Sequence, residues 1–128
     1  MSKSRFENLE IYNLSERLAD LIWELVIKWE YFAKNTIGKQ IVDASDSIGA
    51  NIAEGSGKGS NMEFKRYCKI ARGSLFETKH WLKRAYKRNL LKENDIEEIK
   101  NILDKLLPKL SAYIKYLEQK IKRRNDLK

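Results

Sequence analysis

Residues 96–121 read IEEIKNILDKLLPKLSAYIKYLEQKI, and the large apolar side chains of this stretch recur in steps of three and four. They are Ile96, Ile99, Leu103, Leu106, Leu110, Tyr113, Leu117 and Ile121. Since a helix turns once in about 3.6 residues, this spacing places them on one side of a helix. Such a seam is typical of a helix in a bundle. Pro108 interrupts it and predicts a kink near residues 104–107, because proline removes a backbone hydrogen bond.

Three earlier segments have the same apolar period, so the chain is predicted to be all-α. We expect helices at about 9–31, 36–54, 61–88 and 95–122. Two capping patterns predict where helices begin: Ser60 with Glu63 for the third helix, and Asn94 with Glu97 for the fourth. Gly55 predicts a left-handed cap at the end of the second helix. Short links between four helices indicate an up-down-up-down four-helix bundle, with residues 1–128 as a single domain.

The number of cysteines and the hydropathy of the chain indicate the cellular compartment in which the protein is expected. Cys68 is the only cysteine, so the chain cannot form an internal disulfide, which fits a reducing cytosol. No run of about 18 apolar residues is present, and no apolar leader follows the first five residues. We therefore expect a cytoplasmic protein that has no membrane partner.

The positive charge is concentrated in the second part of the chain. The net charge is +8, yet residues 56–128 hold 20 Lys and Arg against nine Asp and Glu, whereas residues 1–55 hold six against nine. This distribution favours a polyanionic partner such as nucleic acid. The alternative is that the charge only keeps the protein soluble.

One face of the third predicted helix carries much of this charge. Its six cations fall within about 80° of the helix circumference and surround Phe76, an aromatic residue that can stack on bases. We call these seven residues the basic strip: Lys65, Lys69, Arg72, Phe76, Lys79, Lys83 and Lys87. The strip predicts salt-sensitive nucleic-acid binding, with RNA as the expected partner, and a solvated face is the alternative. Further nucleic-acid contacts are predicted at Lys58, Arg88, Arg123 and Arg124.

Residues suited to catalysis are few. His80 and Cys68 are the only histidine and cysteine, and twelve residues of helix separate them by about 18 Å. Glu77 and His80 form one E-x-x-H pair, whereas di-iron bundles need two such pairs. Arg72 and His80 exceed the R-x(4–6)-H spacing of helical RNases. We predict no catalytic residue, no metal and no cofactor, and keep an RNase-like enzyme as a weaker alternative.

Two further groups of residues have predicted roles. Polar residues near the junction of the second and third helices are expected to form a structural network: Asn51, Glu54, Glu63, Arg66, Ser74 and Glu77. Apolar residues beyond the needs of one bundle predict an oligomer interface, because self-association would bury them: Trp23, Ile27, Ile70 and Trp81. A structural or protein-docking bundle with no nucleic-acid role therefore stays an alternative function.

Three segments resemble a known family. Residues 47–55, SIGANIAEG, resemble its S-I-P-A-N-I-A-E-G signature, with Gly49 in place of the proline. Residues 63–77 resemble E-F-x-R-F-x-x-I-A-x-G-S-x-x-E, and residues 6–12 resemble F-x-x-L-x-V-W. Together they are similar to the bacterial four helix bundle protein family. Its members include proteins encoded in intervening sequences of 23S ribosomal RNA genes, also labelled S23 ribosomal proteins, and accessory proteins of diversity-generating retroelements are related.

The resemblance implies an assembly and partners. It implies a ring-like homopentamer of bundles with a basic surface. In the retroelement branch it also implies RNA binding and contact with a reverse transcriptase. The family gives the matching polar residues of this chain no catalytic role.

Overall fold

A computed structural model describes residues 5–127, and this part of the chain contains helices and no strands. A short 3₁₀ helix, Arg5–Asn8, precedes α1, Glu10–Val26. Helix α2 spans residues 31–56 and consists of Tyr31–Ala33, a π-helical turn at Lys34–Gly38, and Lys39–Ser56. Helix α3 is Asn61–Lys87 and α4 is Glu93–Asp126. The predicted all-α architecture of four main helices is confirmed for the described residues.

Each helix packs against its neighbours in sequence, and α1 also packs against α4. The pairs are antiparallel. Gly49, late in α2, lies against Tyr12 near the start of α1, and Lys109 of α4 forms an ion pair with Glu10. The arrangement is therefore consistent with an up-down-up-down bundle.

All four helices contribute to one hydrophobic core. Leu18, Ile48, Leu75 and Leu106 are completely buried, one from each helix. In α4 the buried side chains differ partly from the predicted seam, since Ile102 and Ile114 are buried while Ile96, Leu103, Tyr113 and Ile121 are half-buried. Helix α4 is continuous through Pro108, and the kink near residues 104–107 stays a prediction.

The boundary between α1 and α2 differs from the prediction. Helix α1 ends at Val26 rather than at residue 31, and α2 begins at Tyr31 rather than at residue 36. Glu30 begins the new helix, because its carboxylate accepts the backbone N–H groups of Phe32 at 2.8 Å and Ala33 at 2.6 Å. The apolar period continues across this turn, so the periodicity alone does not show that α1 ends at Val26 and a new helix begins at Tyr31.

The capping predictions were right at one helix and wrong at two. Ser60 Oγ accepts the Glu63 backbone N–H at 3.1 Å and begins α3 as predicted. At α4 the Asn94–Glu97 prediction was wrong, since the Lys92 backbone N–H donates to Asp95 Oδ2 at 3.1 Å and the helix begins at Glu93. Gly55 was also misassigned. It lies inside α2, which continues to Ser56. Phe64 and Tyr67 pack too close to this position to admit a side chain.

Candidate nucleic-acid interface

The basic strip lies on α3, on the side that faces α4. Apolar residues at helical spacing bury the adjacent side of α3 in the core, among them Phe64, Leu75 and Leu82. The cations of the strip are consequently directed outward and toward the neighbouring helix. A nucleic acid bound to the strip would therefore also run along α4.

Two cations of the strip contact α4 directly. Lys69 Nζ lies 3.7 Å from Glu118 Oε1, and Arg72 Nη1 donates to Ser111 Oγ at 3.3 Å. Lys69 therefore has a carboxylate partner on the neighbouring helix, which the spacing along α3 alone does not reveal. Lys69 and Arg72 thus help to hold α3 against α4, which leaves less of their charge for a ligand.

The C-terminal half of the strip is more open. Lys79, Lys83 and Lys87 are exposed and form no ion pair within residues 5–127. Phe76 is 52% exposed, and Lys79 Nζ lies 5.6 Å from its ring centroid. Exposed ammonium groups beside an exposed ring are the combination that binds phosphates and stacks a base.

The flanking cations lie at the two ends of the bundle. Arg88 is exposed at the C-terminal end of α3. Because α3 and α4 are antiparallel, the exposed Arg123 and Arg124 lie at the end where α3 begins. Lys58, in the loop before α3, places Nζ 5.6 Å from the Tyr67 ring centroid. Lys65 is half-buried in the first turns of α3.

The six predicted network residues make local contacts instead of one joint network. Arg66 Nε donates to Glu63 Oε2 at 3.0 Å, and the Asn51 side-chain amide donates to the Ser47 carbonyl at 2.7 Å. Ser74 and Glu77 accept hydrogen bonds from residues one turn along α3, the Ser74 carbonyl from Thr78 Oγ1 at 2.8 Å and Glu77 Oε2 from the Trp81 indole at 3.1 Å. Glu54 is exposed on α2. Within residues 5–127 no hydrogen bond links two members on different helices.

The predicted apolar interface is partly exposed. Trp23 is 54% exposed, Ile27 47% and Ile70 41%. Trp81 differs, because it packs against the core and its indole N–H donates to Glu77 Oε2 at 3.1 Å. Tyr31 at 79% and Phe32 at 72% are more exposed than these residues and were not among the predicted interface residues. Both residues lie at the start of α2, just after the turn at residues 27–30, so the predicted end of the first helix at residue 31 concealed their position.

The surface of α1 and α2 has the opposite electrostatic character. Burial, together with the nearby Asp43 and Asp20, raises the pKa of the Asp46 carboxyl. A hydrogen bond of 2.7 Å to Glu16 is the main reason that the pKa of Tyr12 rises to about 12. The charge asymmetry of the sequence is therefore also an asymmetry between faces of the bundle.

Residues that could carry catalysis lie apart. Cys68 is fully buried, and burial raises the pKa of its thiol to about 12. His80 is exposed and packs edge-on against Trp81. Eight residues of helix, about 12 Å, separate it from Arg72. Among the described residues, no three His, Cys, Asp or Glu side chains are grouped to hold a metal ion, and no helix has the length and apolarity needed to cross a membrane.

Comparison with known proteins identifies a family and a structural relative. Residues 7–112 match the family described as "23S rRNA-intervening sequence protein". The fold resembles the crystal structure of a protein of unknown function from the S23 ribosomal protein family of Bacteroides thetaiotaomicron VPI-5482. The two share 27% sequence identity with a TM-score of 0.72, over 82% of this chain and 98% of the other. No curated protein matches the sequence.

Proposed function

The chain belongs to the 23S rRNA-intervening sequence protein family, and on that premise we propose that it is a non-enzymatic protein that binds RNA through the basic strip. The structural relative is of unknown function, so the proposal rests on the surface of this chain. The observation that carries it is the open half of the strip. There Lys79, Lys83 and Lys87 are exposed without ion pairs beside the half-exposed ring of Phe76.

This surface favours binding without sequence readout. Lysines neutralise phosphates as point charges, and an aromatic ring stacks on any base. Binding would release counterions, so the affinity should fall with added salt. The exposed ring of Phe76 favours single-stranded RNA, whose unpaired bases can stack on it, over duplex DNA.

The test is a fluorescence-anisotropy titration of a labelled single-stranded RNA at several salt concentrations. If the native chain contacts four phosphates, its affinity should fall about 50-fold between about 50 and 200 mM salt. The double variant Lys79→Glu/Lys83→Glu should bind weakly and with a smaller salt slope.

The matched control is Lys28→Glu/Lys34→Glu, which changes the net charge equally at exposed positions outside the strip. The control should retain most of the affinity. An affinity that does not change with salt, or an equal loss in both double variants, would contradict the proposal.

A second candidate function is self-association through the exposed apolar residues. Trp23 in the last turn of α1 and Ile27 just after its end lie one helical turn apart, and about half of each residue is exposed. Large exposed apolar groups of this kind mark interaction surfaces. A ring-like homo-oligomer would repeat the basic strip around its circumference. Self-association and RNA binding are therefore compatible, because the ring would present several strips to one RNA. A homopentamer and a contact with a reverse transcriptase are proposals that rest on the family resemblance.

Light scattering coupled to size exclusion tests this candidate. The native chain should elute as an oligomer, and Trp23→Lys/Ile27→Lys should elute as a monomer. Met62→Lys is the control, because Met62 is 65% exposed at the start of α3 and outside the proposed interface. A monomeric native chain would exclude the candidate.

A further inference from the structure

A groove between α3 and α4 lies beside the open half of the basic strip, and RNA binding leaves its floor unused. Its volume is about 310 Å³, at the lower end of the range of small-molecule pockets. The floor is formed by branched aliphatic side chains from α3, α4 and their connection: Leu82, Leu91, Ile96, Ile99 and Leu103.

The rim of the groove is positive. Lys79 and Lys83 border it from α3, and Lys100 borders it from α4. Among residues 5–127, Glu93 is the only acidic residue that lines it, and its Oε1 already accepts the Tyr86 hydroxyl at 3.4 Å. An occupant therefore meets an aliphatic floor and three ammonium groups against one carboxylate, which is hydrogen-bonded to Tyr86 in the same lining.

We propose that this groove binds a single-chain carboxylate amphiphile, with the alkyl tail on the aliphatic floor and the carboxylate among the three lysines. The floor argues against a nucleobase, because a base would need an aromatic face and polar groups for its edges. Tyr86 is the only aromatic residue in the lining, and its hydroxyl is bonded to Glu93. The positive charge of the rim argues against an amphiphile with a neutral or cationic headgroup.

Calorimetric titration of the native chain with octanoate, decanoate and dodecanoate, each below its micellar concentration, tests the proposal. Burial of the tail predicts that each added methylene tightens binding about fourfold, with no binding of acetate. An affinity independent of chain length would overturn the proposal. Equal binding of decyltrimethylammonium, or tighter binding of adenosine monophosphate than of decanoate, would also overturn it.

Two variants locate the site. Lys83→Glu on the rim and Leu103→Gln on the floor should each weaken decanoate binding about tenfold. Their controls are Lys115→Glu, at an exposed position on α4, and Leu107→Gln, a half-buried position on the same helix that does not line the groove. Equal losses in variants and controls would contradict the assignment. If Leu103→Gln fails to fold, the chain-length series on the native chain still decides. These measurements contain no RNA, so their outcome is independent of the proposed function.

Discussion

A Cβ atom placed on Gly55 would lie 2.5 Å from the Cβ atom of Tyr67. This is closer than two carbon atoms can pack, so α2 and α3 can approach as they do only because residue 55 lacks a side chain. The Phe64 ring closes the same space from one turn earlier, at 3.2 Å. Glycine is thus required here for contact between helices and not for a left-handed turn.

We expect Gly55→Ala to lower the free energy of unfolding by about 1–3 kcal/mol, because the added methyl forces α3 outward. Gly49→Ala is the matched control in the same helix. Its Cβ would meet Tyr12 and Ser15 at 3.6 and 3.7 Å, which is ordinary contact. That variant should gain up to about 1 kcal/mol from helix propensity. Urea denaturation measures both, and equal effects would contradict the packing explanation.

Asn89 stabilises the end of α3 in a conformation that favours glycine. Its φ is 60°, and the following Leu90 N–H donates to the Ala85 carbonyl at 3.0 Å, as in a Schellman cap. Asn89→Gly should therefore raise stability by about 0.5 kcal/mol, and Asn89→Val should lower it by about 1–2 kcal/mol. Thermal denaturation measures the order of stability, which should be Gly variant, native chain, Val variant. A Val variant as stable as the Gly variant would refute the explanation from φ.

The helices and most of the core could be predicted because they depend on local periodicity. The end of α1 could not, since Trp29 and Phe32 continue the apolar period through a turn whose signal is the cap at Glu30. The direction of the basic strip followed from its spacing. Its contact with α4 did not, because Lys69 and Glu118 are far apart in sequence and only the bundle brings them together.

Pro108 is an exposed residue inside α4, and its ring cannot donate the backbone hydrogen bond to the preceding turn. Pro108→Ala should restore that donor and raise the free energy of unfolding by about 1–3 kcal/mol. Pro108→Gly restores the donor with poorer helix propensity and should gain about 1 kcal/mol less. Melting temperatures provide the measurement, and a destabilised Ala variant would show that the proline fits a bend the bundle needs.

The Cys68 thiol should be unreactive in the folded chain, because burial raises its pKa from 9.0 to about 12 and the side chain has no exposed surface. The folded state binds this proton more tightly than the unfolded state. The stability that it contributes is therefore complete below about pH 9 and is lost as pH rises toward 12. The stability difference between the native chain and Cys68→Ala should shrink over that range by about 1.4 kcal/mol per pH unit.

Ellman's reagent provides an independent check on Cys68. The folded chain should react slowly at pH 7 and pH 9 alike, whereas the chain in guanidinium should react at once and faster at the higher pH. Rapid modification of the folded chain would mean that α3 opens far more readily than its packing implies.

Phe76 separates stacking from charge in the proposed RNA interface. Half of the ring is exposed, so an unpaired base can stack on it. Lys79 lies beside the ring, with Nζ 5.6 Å from its centroid, and can hold the phosphate of that nucleotide. Phe76→Ala should weaken single-stranded RNA binding by about 1–3 kcal/mol. The salt slope should stay the same, because no cation is lost. A duplex offers no free base face, so its weaker binding should not change.

Tyr116→Ala is the control, since Tyr116 is also exposed beneath a lysine, Lys120, but outside the basic strip. An equal loss for duplex and single strand, or an equal loss in the Tyr116 variant, would show that the ring acts only by supporting α3.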